Sequence, residues 1–484
     1  MEKQLKCVLL LSLQEMALRR LAVLLWSGSD ILASISKFQS YGSYDEIMKK
    51  WLETIEGKVQ DKMLKLELPE CLTKQMIDIV KPIGLQLKRR KEFLDDDLND
   101  MSQEISLPDS AKLCWTTAGT IDYRKTAEEL VRCGELDVHQ RYKIACIYCL
   151  EDYIPLLWKE LPEKMKDIYG KAKYQHLDLS FCWPHILKGE LSKLDYLLRT
   201  FDRNLTTFNQ WAFEYSAENY YKTATEYFFQ KLTHEEREAS LMRTVEAVVR
   251  DRFRPESTYL FFFRNEILCY LLSVMTPEQQ MEIVKARPID VFSCFLVWPL
   301  QGLFLENAGL IWTFLPPSSY DGLLQKMADR FEMSYHYFPK LFQEFFMQSP
   351  LDFKKYFVDE ESEFDVTNAY RFLSIFFRSQ DSESIEIIFR NVDATDRVKL
   401  VFKDDLGLFY ESILMDRWHM VVVCLREAAL SKEDRKRWKE ALMKCLINDI
   451  ERIKWKKGKL KRFFEFLDKT DASADMERTL RSVS

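Results

Sequence analysis

Residues 227–237 read Tyr-Phe-Phe-Gln-Lys-Leu-Thr-His-Glu-Glu-Arg, where one helix ends and the next begins. Upstream, Tyr221, Ala224, Phe228 and Leu232 recur at helical spacing and make one apolar face. Thr233 is placed to cap the following helix, and Glu236, three residues on, completes a capping box. Leu241, Val245, Val248 and Val249 then supply that helix with its own stripe.

The composition agrees with this stretch. The chain has 484 residues, 47% hydrophobic and 13% aromatic, ample for a buried core. Only 13 glycines and 14 prolines are present, well below typical usage, whereas hairpin turns and phosphate-cradling loops consume glycine. The class expected is all-α. A net charge of −6, from 70 basic and 76 acidic residues, gives no bulk attraction to nucleic acid. Eleven cysteines without regular spacing suit reduced, packed thiols and a cytoplasmic location better than a disulfide framework.

Met1–Trp26 carries the apolar run Cys7–Leu13, which Gln14, Glu15, Arg19 and Arg20 follow without a small-residue cleavage site. It reads as a first amphipathic helix rather than a secretory signal. Val291–Leu305 and Tyr259–Met275 are the most apolar stretches, and both fall short of the ~20 uninterrupted residues of a membrane span. They read as buried helices.

From Thr117 onward the chain repeats. Apolar residues that close a helix just before a capping or proline signal are Leu161, Phe201, Leu232, Met275, Leu315, Met347, Val392, Leu430 and Leu467. Their spacings run from 31 to 45 residues with a mean near 38, in the range of helix-turn-helix solenoid units. Thr276-Pro-Glu-Gln279, Ser349-Pro-Leu-Asp352, Asp393-Ala-Thr-Asp396 and Ser431-Lys-Glu-Asp434 supply the caps, while Pro162 and Pro316 mark two other starts. The organisation expected is a helical N-terminal region over 1–100 and a linker over 101–116. A degenerate array of about nine helix pairs follows over 117–469, with a tail over 470–484. Within the N-terminal region Leu18, Leu21, Ala22 and Leu25 form one stripe, and Ile47, Trp51 and Ile55 another. Lys88-Arg-Arg-Lys91, followed by Asp95–Asp97, reads as a solvated face rather than an import signal.

Gly189–Leu198 resembles the second helix of an ankyrin repeat, and Arg264–Leu272 and Trp418–Leu425 do so more loosely. The Thr-Pro-Leu-His opening and the glycine-rich hairpin of ankyrin repeats are missing, so plain helix stacking is expected. Three stretches, Arg141–Trp158, Tyr227–Met242 and Phe338–Phe353, resemble a large family of ankyrin-related helical-repeat proteins expanded in spiders. The resemblance covers most of the chain from Ser12 to Met443. It implies a helical solenoid and brings no activity, cofactor or catalytic residue with it.

Enzyme signatures are absent: there is no Walker-type loop, no Gly-x-Gly-x-x-Gly, no His-Glu-x-x-His and no Gly-x-Ser-x-Gly. Asp95–Asp100 lacks the glycine and final glutamate of a calcium loop. The nearest approach to a metal or redox site is Cys146-x-x-Cys149, with Cys133, His139, Cys182 and His185 as completions. Packed core thiols are the simpler account.

Ser431–Lys469 holds fourteen Lys and Arg against seven Asp and Glu. Arg452, Lys454, Lys456, Lys457, Lys459, Lys461 and Arg462 crowd one helix, with Ile450, Ile453, Leu460, Phe463 and Leu467 on its apolar side. The helix suits an anionic lipid, RNA or acidic partner; a terminal cap with a polar outer face is the simpler account. The sequon at Asn204 is accidental in a chain without a secretory signal. Phe261–Phe263, Phe345–Phe346 and Phe376–Phe377 read as core. The functional expectation is a non-enzymatic protein-interaction scaffold without metal or cofactor. The cysteine neighbourhood and the basic helix carry the rival readings.

Overall fold

The computed structural model describes residues 4–38, 44–96, 113–170, 178–199, 207–250, 258–333, 339–359, 367–402, 406–444 and 457–469. Among these the regular elements are helices, and Trp115 forms an isolated antiparallel bridge with Ile121. No helix among them is long and apolar enough to cross a membrane. The chain divides into two units, Met1–Glu306 and Asn307–Ser484.

The first unit opens with a non-helical strap, not with the helix expected there. Over residues 4–11 burial alternates: Leu5 is buried and Cys7, Leu9 and Leu11 half-buried, while Lys6, Val8 and Leu10 are exposed. Helix α1 (Leu13–Trp26) starts only where Ser12 and Glu15 close a capping box. α2 (Ser29–Ser36) follows. α3 (Tyr44–Trp51) then runs through a π-helical turn, Leu52–Glu56, into α4 (Gly57–Leu64). α5 (Glu70–Asp96) carries Pro82 in its interior. Trp26, Ile31, Trp51, Ile55, Val59, Met76, Val80 and Ile83 form the core of this region, with the Trp26 and Trp51 rings stacked 6.1 Å apart.

Part of the later chain closes onto this core. Arg19 Nη1 donates to the Ala118 carbonyl at 2.8 Å and Gln86 Nε2 to the Gly119 carbonyl at 3.1 Å. Gly119 takes a φ of 74°, a left-handed conformation in which a side chain would be strained. Trp298 packs on the same core beneath the Arg19 guanidinium, 4.9 Å from its ring centre. Of the segment expected as a linker, residues 113–116 are described, and they belong to this contact. Lys88 is only 4% exposed, which corrects the solvated-face reading at that position. The side chains of Arg89–Lys91 lie outside the described residues.

Helix hairpins follow: α6 (Tyr123–Arg132), α7 (Val138–Ile147), α8 (Ile154–Glu160), α9 (Glu163–Tyr169), α10 (Leu179–Leu187), α11 (Leu191–Arg199), α12 (Phe208–Glu218), α13 (Lys222–Lys231) and α14 (His234–Arg250). The unit ends with α15 (Thr258–Val274), α16 (Pro277–Ala286), α17 (Pro288–Ser293) and α18 (Gln301–Glu306). The apolar stretch 291–305 is therefore broken rather than one helix: a 3-10 turn, Cys294–Leu296, and a cis Trp298–Pro299 bond separate α17 from α18.

In the second unit the order is α19 (Ala308–Phe314), α20 (Tyr320–Met333), α21 (Pro339–Gln348), α22 (Leu351–Asp359), α23 (Asn368–Ser379), α24 (Ser382–Arg390), α25 (Ala394–Phe402), α26 (Gly407–Leu414), α27 (Trp418–Ala428) and α28 (Lys432–Lys444). A last helical stretch covers 457–469. Beyond sequence neighbours, some helices two apart pack together, α20 on α22 and α25 on α27, and so do helices three apart, α20 on α23, α21 on α24, α24 on α27 and α22 on α25. Polar contacts keep the same step. Gln343 Nε2 donates to Ser384 Oγ at 2.9 Å, Lys399 pairs with Asp359 at 2.9 Å and Lys459 with Asp416 at 2.6 Å. In the first unit Tyr142 donates to the Ser180 carbonyl at 3.1 Å, and Trp183 to the Cys146 carbonyl at 3.1 Å.

One turn recurs in both units. Cys149, Gly189, Tyr220, Gln380 and Asp416 each have positive φ, between 52° and 71°. The next residue donates its N–H to a carbonyl five residues back: Leu150 to Ala145, Glu190 to His185, Tyr221 to Ser216, Asp381 to Phe376 and Arg417 to Ser412, at 2.8–2.9 Å. This is the Schellman closure of a helix, here joining it at once to the next.

The capping reading holds at Thr233 with Glu236, Thr276 with Gln279, Asp393 with Asp396 and Ser431 with Asp434. It fails at Ser349. That hydroxyl is buried and bonded to the Phe345 carbonyl and to Tyr320, so it closes α21 instead of opening α22. Met347, expected as a buried anchor, is 47% exposed, whereas Leu161, Leu232, Met275, Leu315, Val392, Leu430 and Leu467 are buried. Phe201 lies outside the described residues.

Candidate functional site

Around Cys146-x-x-Cys149 the residues play structural parts. Cys146 sits in the last turn of α7, fully buried, and its carbonyl receives the Trp183 indole N–H. Cys149 is the left-handed residue of the closure that follows α7, 2% exposed. Cys182 is buried on α10, and burial pushes all three thiols up. The reactive form, the thiolate, is therefore suppressed at each.

The histidines of this neighbourhood turn elsewhere. The His139 ring bonds the Tyr169 hydroxyl at 2.7 Å, and burial, with Lys143 adding to it, lowers its pKa. His185 Nδ1 lies 3.2 Å from Glu190. Cys133 is half-buried just past α6. Among the described residues no three His, Cys, Asp or Glu side chains stand together as a ligand set.

In the basic C-terminal helix, Arg452, Lys454, Lys456, Ile450 and Ile453 lie outside the described residues. Leu460, Phe463 and Leu467 are buried, with Phe463 packed against Trp418 and Trp438. Lys459 donates to the Leu414 carbonyl at 2.6 Å and pairs with Asp416, so it fastens this helix to the preceding turn. Lys457, Lys461 and Arg462 remain exposed.

The sequence did not reveal a half-buried acid pair between α13 and α15. Glu226 and Glu266 project from these packed helices beside Lys222, whose Nζ is 3.8 Å from Glu266. Burial pushes both carboxyls above the usual range, and Lys222 opposes the shift at each. At Glu226 the neighbouring Glu266 adds to the rise, with Arg124 and Asp122 acting in opposite directions. Such a pair can hold a proton that isolated carboxylates would release. No local signal marks it, because each glutamate alone reads as the polar face of an amphipathic helix.

A hollow in the second unit, lined by Thr367, Leu373, Leu406 and Phe409, has room for about 10 Å³, one water molecule. No protein-family model matches the chain, and no curated protein matches it.

Proposed function

We propose that the chain is a non-enzymatic interaction scaffold: a degenerate array of ankyrin-like helix pairs that binds a protein partner along its surface. The observation that carries this reading is the recurring helix closure at Cys149, Gly189, Tyr220, Gln380 and Asp416, with side-chain contacts repeating about one unit apart. Repeats of this kind bury one another's apolar faces and leave an extended surface rather than an enclosed pocket.

A register within that surface supports it. Seven residues beyond the left-handed residue stands an apolar side chain in three successive hairpins: Leu156, Tyr196 and Tyr227. Leu156 is 56% exposed and Tyr196 76%. Tyr227 is half-buried and donates its hydroxyl to Glu151, so the exposed anchors are Leu156 and Tyr196, of the kind an interaction surface requires. The test is affinity capture with the full chain and with a Leu156→Glu/Tyr196→Glu double variant of unchanged melting temperature. A protein retained by the parent and lost by the variant supports the reading. Identical captures, or none, contradict it.

A further inference from the structure

Three cysteines from distant segments lie in one neighbourhood at the N-terminal strap. Cys269 on α15 donates its Sγ–H to the Cys7 carbonyl at 3.3 Å. The Cys7 thiol turns along the strap toward the Leu5 carbonyl, 3.8 Å away. Cys294, buried in the 3-10 turn after α17, is close enough to feel charge on either. Cys7 is the reachable member, half-buried between the exposed side chains Lys6 and Val8. The strap is held by the Leu5 N–H on Gln280 Oε1 at 3.2 Å, by an exposed Lys6–Glu306 pair at 2.9 Å and by burial of Leu5.

We propose that Cys7 and Cys269 are a redox staple: a low-molecular-weight disulfide oxidises them to an intramolecular disulfide that ties the strap to α15. The Cys7 thiolate attacks one sulfur of the small disulfide, forming a mixed disulfide and expelling one small thiolate. Cys269 thiolate then attacks the Cys7 sulfur, forming the Cys7–Cys269 bond and expelling the second. The two cysteines lose two electrons and two protons; the small disulfide gains both and leaves as two thiols. A disulfide needs Cα atoms about 4.4–6.8 Å apart. The strap's ties are non-covalent, among them the Leu5 amide, the Lys6–Glu306 pair and the Cys269 bond to the Cys7 carbonyl, and closing the disulfide requires it to settle into that range. Burial raises both thiols, Cys269 to about 12, so the exchange is slow at neutral pH and quickens as pH rises.

The experiment uses the full chain with oxidised glutathione at mildly alkaline pH, followed by tryptic digestion without reductant and mass spectrometry. Cleavage after Lys6, Arg19, Arg264 and Lys285 places Cys7 and Cys269 each alone in its peptide, 7–19 and 265–285. The staple predicts these two peptides joined, their loss in Cys269→Ser, and a melting temperature raised by several degrees until dithiothreitol is added. Glutathione remaining on Cys7, Cys7 joined to Cys294, or both thiols still free would each overturn it.

Discussion

The Trp26 indole lies across the bare Cα of Gly84. A Cβ built on Gly84 would stand 2.1 Å from Trp26 Cζ2, and the indole Nε1 donates to the Val80 carbonyl at 2.8 Å. This close approach lets α1 settle on α5 two residues beyond Pro82. Gly84→Ala must push the ring away, against the usual helix preference for alanine. A loss of about 1–3 kcal/mol, the common range for overpacking, is expected in chemical denaturation.

Gln380 is the reverse case. It is exposed, and it adopts a φ of 55° to close α23, a conformation that costs a residue with a Cβ about 1 kcal/mol. Gln380→Gly removes that cost without opening a cavity. The variant should gain about 0.5–1 kcal/mol, read as a higher denaturation midpoint with unchanged slope.

These two positions show what the sequence could and could not tell. Caps were legible because Thr233, Thr276, Asp393 and Ser431 advertise their chemistry locally. The helix closures were not, because Cys149, Tyr220, Gln380 and Asp416 occupy a conformation usually signalled by glycine, and only Gly189 gave that sign. The low glycine count correctly implied helices while concealing the turns between them. The strap was misread because Val8, Leu9, Leu10 and Leu11 suit either period, and what decides is docking near Gln280, remote in sequence. The acid pair depends likewise on which faces of α13 and α15 meet.

Glu56 gives a prediction in pH. It ends the π-helical turn, is 1% exposed, and has one carboxylate oxygen without a hydrogen-bond partner; Gln60 donates to the other at 3.1 Å. Burial raises its pKa, opposed by Lys81 and by the Gln60 bond. A carboxyl raised in the folded state stabilises the fold below its unfolded value, and the contribution is lost as pH climbs through the folded one. Once ionised, Glu56 is therefore a burden on the fold. Glu56→Gln should gain on the order of 1 kcal/mol at pH 7. It should also lose stability less steeply than the parent as pH rises above the usual carboxylate range; parallel curves would contradict this.

Phe228 tests the packing of the α12–α13 hairpin. It is 2% exposed, packed against Phe208 with ring centres 5.8 Å apart, and it joins α13 to α12. Phe228→Ala should cost ~3–5 kcal/mol, as for large-to-small changes in a core. A melting temperature equal to the parent's would remove this side chain from the α12–α13 interface.

Contacts recurring one unit apart are the central claim, and zero-length carbodiimide cross-linking reads them directly, since it joins a lysine only to a carboxylate in contact. Lys399 to Asp359 and Lys459 to Asp416, 40 and 43 residues apart, should be among the links formed in the second unit. Their absence, with links instead joining lysines to carboxylates several units away, would contradict the repeating array.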